Sequence, residues 1–172
     1  MEALGFISLW GFTPAINCFA NVDNVNVEDD TEINILLSET GGDARHLLKS
    51  ITDILPLKKN RSQPINFYIH ERQKENLGRL ILFLTIVCET GISMRERMEI
   101  FLDIFGNCLI RDKTSTYLES ITHELIQLVT EHEKCTSMLK GIFDFSTLKF
   151  KERDQLEDVL SGYLLAHKYD IE

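Results

Sequence analysis

The segment from Ile33 to Glu71 constrains the fold of this chain more than any other stretch, because it reads as strand, glycine turn, helix and strand in immediate succession. Ile33 to Leu37 is a short apolar, β-branched run with acidic residues before it and Gly41-Gly42 after it, the pattern of a buried strand. From Asp43 onward Leu47, Leu48, Ile51 and Ile54 or Leu55 recur at helical spacing, and Pro56 stops the helix. A polar, basic link from Lys58 to Gln63 leads to Pro64 and a second strand, in which Ile65, Phe67 and Ile69 alternate with Asn66, Tyr68 and His70. Short connections and the right-handed crossover rule make the two strands parallel neighbours in an α/β sheet.

The remainder reads as mostly helical. Leu77, Leu80, Ile81, Leu84 and Cys88 form one apolar face, with Thr85 and Glu89 off it and Gly91 placed as a left-handed cap. Ser93-Met94-Arg95-Glu96 is a capping box ahead of a stripe of Met94, Met98, Phe101, Leu102, Phe105, Cys108 and Leu109. Thr116-Tyr117-Leu118-Glu119 repeats the device before Ile121, Leu125, Leu128 and Val129. A short strand over Thr147 to Phe150 and a helix carrying Leu156, Val159, Leu160, Tyr163 and Leu164 close the chain. With 172 residues, the sequence suits a single domain, 1–172, which opens with a docked N-terminal segment and is interrupted by an acidic loop at 21–32.

Several function classes are excluded early. Lys and Arg number 18 against 27 Asp and Glu, a net charge of −9, which is the wrong sign for wrapping a phosphate backbone. Cys18, Cys88, Cys108 and Cys135 are far apart with no C-x-x-C pair, so they read as reduced, buried thiols. The apolar start has only Glu2 as a charge before Trp10, where a signal peptide would be basic, and it reads as core-packing sequence. The longest apolar run, Leu80 to Cys88, is about half of a membrane span. Asn60-Arg61-Ser62 is a formal sequon with no secretory signal beside it. The expected compartment is the cytoplasm, with neither nucleic acid nor membrane as partner.

Gly41-Gly42-Asp43-Ala44-Arg45-His46 lies between strand and helix, where glycines let the backbone turn sharply and the helix N-terminus offers free N–H groups. A nucleotide-like cofactor would further want an acidic residue at the end of the next strand, and Glu71 stands there. Gly41, Gly42, Asp43 and Glu71 are therefore the candidate cofactor-binding residues. A tight turn with a capped helix accounts for Gly41 to Asp43 equally well, since the full G-x-G-x-x-G set is missing. His123-Glu124 opens like a zinc-protease helix, but Gln127 replaces the second ligand. His132 and Cys135 lack further ligands, so no metal is expected. There is no G-x-S-x-G elbow or P-loop, and the three prolines at 14, 56 and 64 leave no N-P-P-[FY] loop. No catalytic set emerges. The Met and Phe stripe from Met94 to Phe105 suits either the chain's own core or a partner helix.

Trp10-Gly11-Phe12-Thr13-Pro14-Ala15, Ile35-Leu36-Leu37 leading into Gly42-Asp43-Ala44-Arg45-His46-Leu47-Leu48, and Ile65-Asn66-Phe67-Tyr68-Ile69-His70-Glu71 occur in that order. Arg95-Glu96-Arg97, Phe101-Leu102-Asp103-Ile104-Phe105-Gly106-Asn107 and Leu148-Lys149-Phe150-Lys151-Glu152-Arg153-Asp154 follow. Together they resemble the N-terminal domain of the dynein axonemal assembly factor 3 family, from Phe6 to about Leu164. The resemblance implies a cytoplasmic, non-catalytic factor that preassembles dynein arms for motile cilia or flagella. It also implies partners among axonemal dynein chains, chaperones and other assembly factors. The fold it implies is a partial Rossmann-like, class I methyltransferase-like sheet. The chain looks truncated relative to the family, which continues into a larger C-terminal region, and its glycine turn is about two residues longer, through Glu39 and Thr40. The rival reading is an S-adenosylmethionine-dependent methyltransferase, or a degenerate cofactor module, with Gly41, Gly42, Asp43 and Glu71 around the cofactor. A complete fold of that kind needs about seven strands.

Overall fold

The computed structural model describes residues 13–20, 32–54, 64–107, 109–131 and 138–164. The acidic stretch at 21–32, apart from Glu32, lies outside these residues, as do the 58–63 link, Cys108, His132 and Cys135. Contacts divide the chain into two compact units, Met1–Leu80 and Ile81–Glu172, and the division falls within one helix. The described residues form a mixed α/β structure of five α-helices and a two-stranded parallel sheet.

In the first unit, β1 (Ile33–Ser38) and β2 (Ile65–His70) pair in parallel with Ile33 opposite Ile65 and Ser38 opposite His70. The alternation of Ile33, Ile35 and Leu37 with Asn34, Leu36 and Ser38 turns one set inward, where it is half-buried, and leaves the other exposed. Between the strands runs α1 (Arg45–Ile54), which buries Leu47, Ser50 and Ile54. Of the N-terminal segment, the described residues 13–20 dock against α1 and β2. Backbone N–H groups of Ile16 and Cys18 donate to His46 Nδ1 (3.0 Å) and Ser50 Oγ (2.9 Å), Asn17 Nδ2 donates to Asp53, and Phe19 meets Phe67 edge to face.

Helix α2 (Lys74–Cys88) corrects the sequence reading. Leu80 to Ile86 are all buried, including Leu82, Phe83 and Thr85, so α2 is apolar on all sides there rather than along one face. Thr85 is accommodated because its hydroxyl donates to the Ile81 carbonyl at 2.8 Å. Gly91 is not in the left-handed region; its N–H instead donates to the Glu89 side chain at 2.7 Å.

In the second unit, α3 (Met94–Gly106) starts where the serine box places it, with Ser93 Oγ accepting from Glu96 N–H. Glu96 pairs with Lys113 at 2.9 Å. Helix α4 (Asp112–Thr130) begins four residues before Thr116. Thr116 therefore sits inside the helix, its hydroxyl donating to the Asp112 carbonyl, so the second capping box is a correction. The expected strand at Thr147 to Phe150 is likewise absent: Leu148 N–H closes a turn on Phe145, Glu152 reaches back to Lys149 N–H at 3.0 Å, and α5 (Phe150–Leu164) begins. Helices α4 and α5 pack together, with Leu125, Leu128, Val129, Leu156 and Leu160 fully buried. Phe83, Phe101 and Phe105 form an aromatic cluster with centroids 4.7–6.0 Å apart.

The Met and Phe stripe of α3 is divided between half-buried Phe101 and Phe105 and exposed residues. Ile100 and Asp103, neither of them in the stripe, are the buried residues of α3, while Met94 (69% exposed), Met98 (58%) and Leu102 (61%) face outward. No described helix is long and apolar enough to cross a membrane.

Candidate functional site

The turn after β1 is the most constrained piece of backbone among the described residues. Glu39 (φ 55°), Gly41 (φ 68°) and Gly42 (φ 73°) all take the left-handed conformation, which glycine adopts freely and glutamate does not. Glu39 N–H donates to the His70 carbonyl at 2.8 Å and so carries the strand ladder one step into the turn. At Gly42 a side chain has no room, since a Cβ would lie 2.8 Å from the Asn76 backbone oxygen.

Glu71, 4% exposed, is the anchor of this turn. Its Oε1 accepts from Thr40 N–H at 2.6 Å and from the Thr40 hydroxyl at 2.5 Å. Its Oε2 is buried without a hydrogen-bond partner. Asp43 Oδ1 accepts from Arg45 N–H at 3.0 Å at the start of α1. Arg45 Nε stands 3.0 Å from Asp43 Oδ2, a charge contact rather than a hydrogen bond. The Arg45 guanidinium also donates to Thr13 Oγ1 at 3.1 Å, tying the N-terminal segment to the helix start.

A hollow of about 490 Å³ opens beside the turn, with Leu36, Ser38, Thr40, Gly41, Asp43 and His46 in its wall. Gly41 and Asp43 thus reach it, whereas Gly42 and Glu71 are not in its wall. Through Oε1, the carboxylate expected to meet ribose hydroxyls holds the loop backbone at Thr40. Thr40 and Arg45, which carry this geometry, belong to no site motif in the sequence. The only local signal for Thr40 was its place in the lengthened turn, and the partner it finds is 31 residues away.

A second polar cluster joins α3 to α4. Asp103, buried on α3, accepts from Arg111 Nε at 2.7 Å, from the Thr114 hydroxyl at 2.6 Å and from Asn107 Nδ2 at 3.0 Å. Burial alone would raise its carboxyl, but the Thr114 hydroxyl and the Arg111 guanidinium outweigh that and hold it below the usual aspartate range. Arg95 and Arg111 likewise lower Glu99 through hydrogen bonds. These groups knit α3 to the start of α4. Among the described residues no three His, Cys, Asp or Glu side chains gather in a way that could hold a metal ion. Cys18 and Cys88 are free thiols, half-buried rather than fully so, and burial pushes Cys88 up.

Residues 9–110 match the family described as Domain of unknown function (DUF4470), more than half of the chain. Over 92% of its length the chain is 37% identical to a Xenopus laevis protein named dynein axonemal assembly factor 3, covering 33% of that protein. The proteins of the same name from Xenopus tropicalis and Danio rerio are 36% and 32% identical over 87% and 90% of the chain, covering 34% and 32% of their own lengths. The chain therefore spans about a third of the curated relatives it matches. No solved structure matches.

Proposed function

The chain belongs to the family described as Domain of unknown function (DUF4470), and from that premise we propose that it acts in the cytoplasmic preassembly of axonemal dynein arms for motile cilia or flagella. The observation that carries this reading is the likeness to dynein axonemal assembly factor 3 over nearly the whole chain, at 37% identity in one relative. Its role in this reading is that of a non-catalytic scaffold, with axonemal dynein chains, chaperones or other assembly factors as partners. The polar groups described above support it: Glu71, Asp43 and Asp103 are each engaged in holding backbone or helices. The strand, turn, helix and strand of the first unit suit one piece of a Rossmann-like sheet kept for its shape.

Disrupting the gene in a ciliated organism is expected to remove inner and outer dynein arms from axonemes seen in cross-section by electron microscopy. Intact arms of both kinds would sink the reading. In the same reading no cofactor is used, and Gly41, Gly42, Asp43 and Glu71 serve the turn. Calorimetry with S-adenosylmethionine is expected to be silent; micromolar binding lost on Asp43→Ala would instead favour a methyltransferase.

A further inference from the structure

We propose that α3 pairs end for end with the same helix of a second copy of this chain, through the ridge of Met94, Met98 and Leu102. These residues follow one another at four-residue steps, stand 58–69% exposed and form one continuous ridge along a 13-residue helix. Beside them runs a second row at the same step, Arg95 and Glu99, with the Arg95 side chain 90% exposed and its Nε 3.0 Å from Glu99 Oε1. The other Glu99 oxygen meets Arg111 at 3.2 Å. Helices pack by laying the ridge of one into the groove of the other, and the groove here lies between an apolar row and a row of opposite charges.

The order of these residues selects the occupant. Turning a second α3 end for end about a two-fold axis at Met98 sets Met94 against the partner's Leu102 and Met98 against the partner's Met98. The same rotation brings Arg95 beside the partner's Glu99, because like flanks of antiparallel helices face each other. Apolar residues thus meet apolar ones, and each charge of the row meets its opposite. A foreign helix would have to carry an acid and a base at this spacing and in this order, and α3 already does. The net charge of −9 bears little on this helix, whose acidic residues are each paired with Arg or Lys: Glu96 with Lys113, Glu99 with Arg95 and Arg111, and Asp103 with Arg111. Three apolar side chains from each copy make an interface of the small class, below about 1,200 Å² in total, so the pairing is weak and depends on concentration. It is independent of the assembly role.

Sedimentation equilibrium of this chain from about 1 to 500 µM is expected to show a reversible dimer with Kd on the order of 10–100 µM, and monomer mass throughout overturns the proposal. Met98→Glu, which sets two carboxylates on the two-fold axis, should raise Kd at least about tenfold, and Arg95→Glu about threefold to fivefold. A dimer indifferent to Met98→Glu lies on another face and overturns the proposal as well. Circular dichroism and melting of each variant check that it keeps the wild-type fold. Mild oxidation followed by peptide mapping reads the geometry: Met98→Cys should link 98 to 98, Met94→Cys alone should not link to itself, and Met94→Cys with Leu102→Cys should form the crossed bond between copies. Met94→Cys linking to itself as fast as Met98→Cys overturns the end-for-end pairing.

Discussion

At Gly42 two independent costs coincide, a left-handed φ of 73° and a Cβ position 2.8 Å from the Asn76 backbone oxygen. Gly42→Ala should destabilise the protein by about 2–4 kcal/mol, read from denaturant midpoints, since the conformational penalty adds to a contact with backbone that cannot swing aside. Glu39 shares the conformation (φ 55°). Glu39→Gly is therefore expected to be neutral or to stabilise by about 0.5 kcal/mol, the relieved strain being partly offset by the greater freedom of an unfolded glycine. Glu71→Ala should cost about 2 kcal/mol by leaving both Thr40 donors without their acceptor, and Glu71→Gln markedly less because an acceptor oxygen remains. The sites of Gly41, Gly42 and Asp43 were legible in sequence, since few residues turn backward or cap a helix so readily. What Glu71 does there was not legible, because its Thr40 partner is set by the pairing of β1 with β2 and not by local pattern.

Among the elements, α3 shows where periodicity misleads. Its apolar residues span so wide an arc that the sequence offers two faces, and burial chooses the one centred on Ile100, leaving Met94, Met98 and Leu102 outside. The choice follows from Asp103, which must face Arg111 and Thr114 to be satisfied. Ile100→Ala is expected to cost about 3 kcal/mol and Met98→Gln less than about 0.5 kcal/mol, a contrast that thermal melts would reverse if the Met stripe were the buried one. Asp103 also carries a pH signature. Its folded carboxyl is held below the ordinary value, so its stabilisation is present above about pH 4 and is lost as pH falls through the folded value. Asp103→Asn should lower stability at neutral pH and flatten the acid limb of the stability curve, measured by denaturant melts from about pH 7 to pH 2. The two strands and α1 kept the places their periodicity assigned. The early start of α4 and the turn at Leu148 did not, because both depend on side chains reaching across turns, Arg111 to Asp103 and Glu152 to Lys149.

For the whole molecule, a chain of charge −9 still presents Leu36, Tyr68, Met94, Met98, Leu102 and Phe150 to water. Leu36 and Tyr68 stand side by side across the sheet, and Met94, Met98 and Leu102 follow one another at four-residue steps along α3, so each group makes a small apolar patch. A dye sensitive to apolar surface should therefore brighten with this protein under conditions where its circular dichroism and melting show it folded, and Met98→Gln together with Tyr68→Glu should dim it. Composition and charge indicate an acidic globular protein, but they do not say which apolar residues remain outside.

Helix α2 adds a consequence for the chain's synthesis. Leu80 to Ile86 are seven consecutive buried residues, and the phenylalanines that meet Phe83 belong to α3, which emerges from the ribosome later. For the seconds of translation before Phe101 and Phe105 arrive, this stretch is an open hydrophobic segment of the kind that holdase chaperones grip. Slower synthesis between Phe83 and Phe105 is therefore expected to raise the fraction of newly made protein that aggregates.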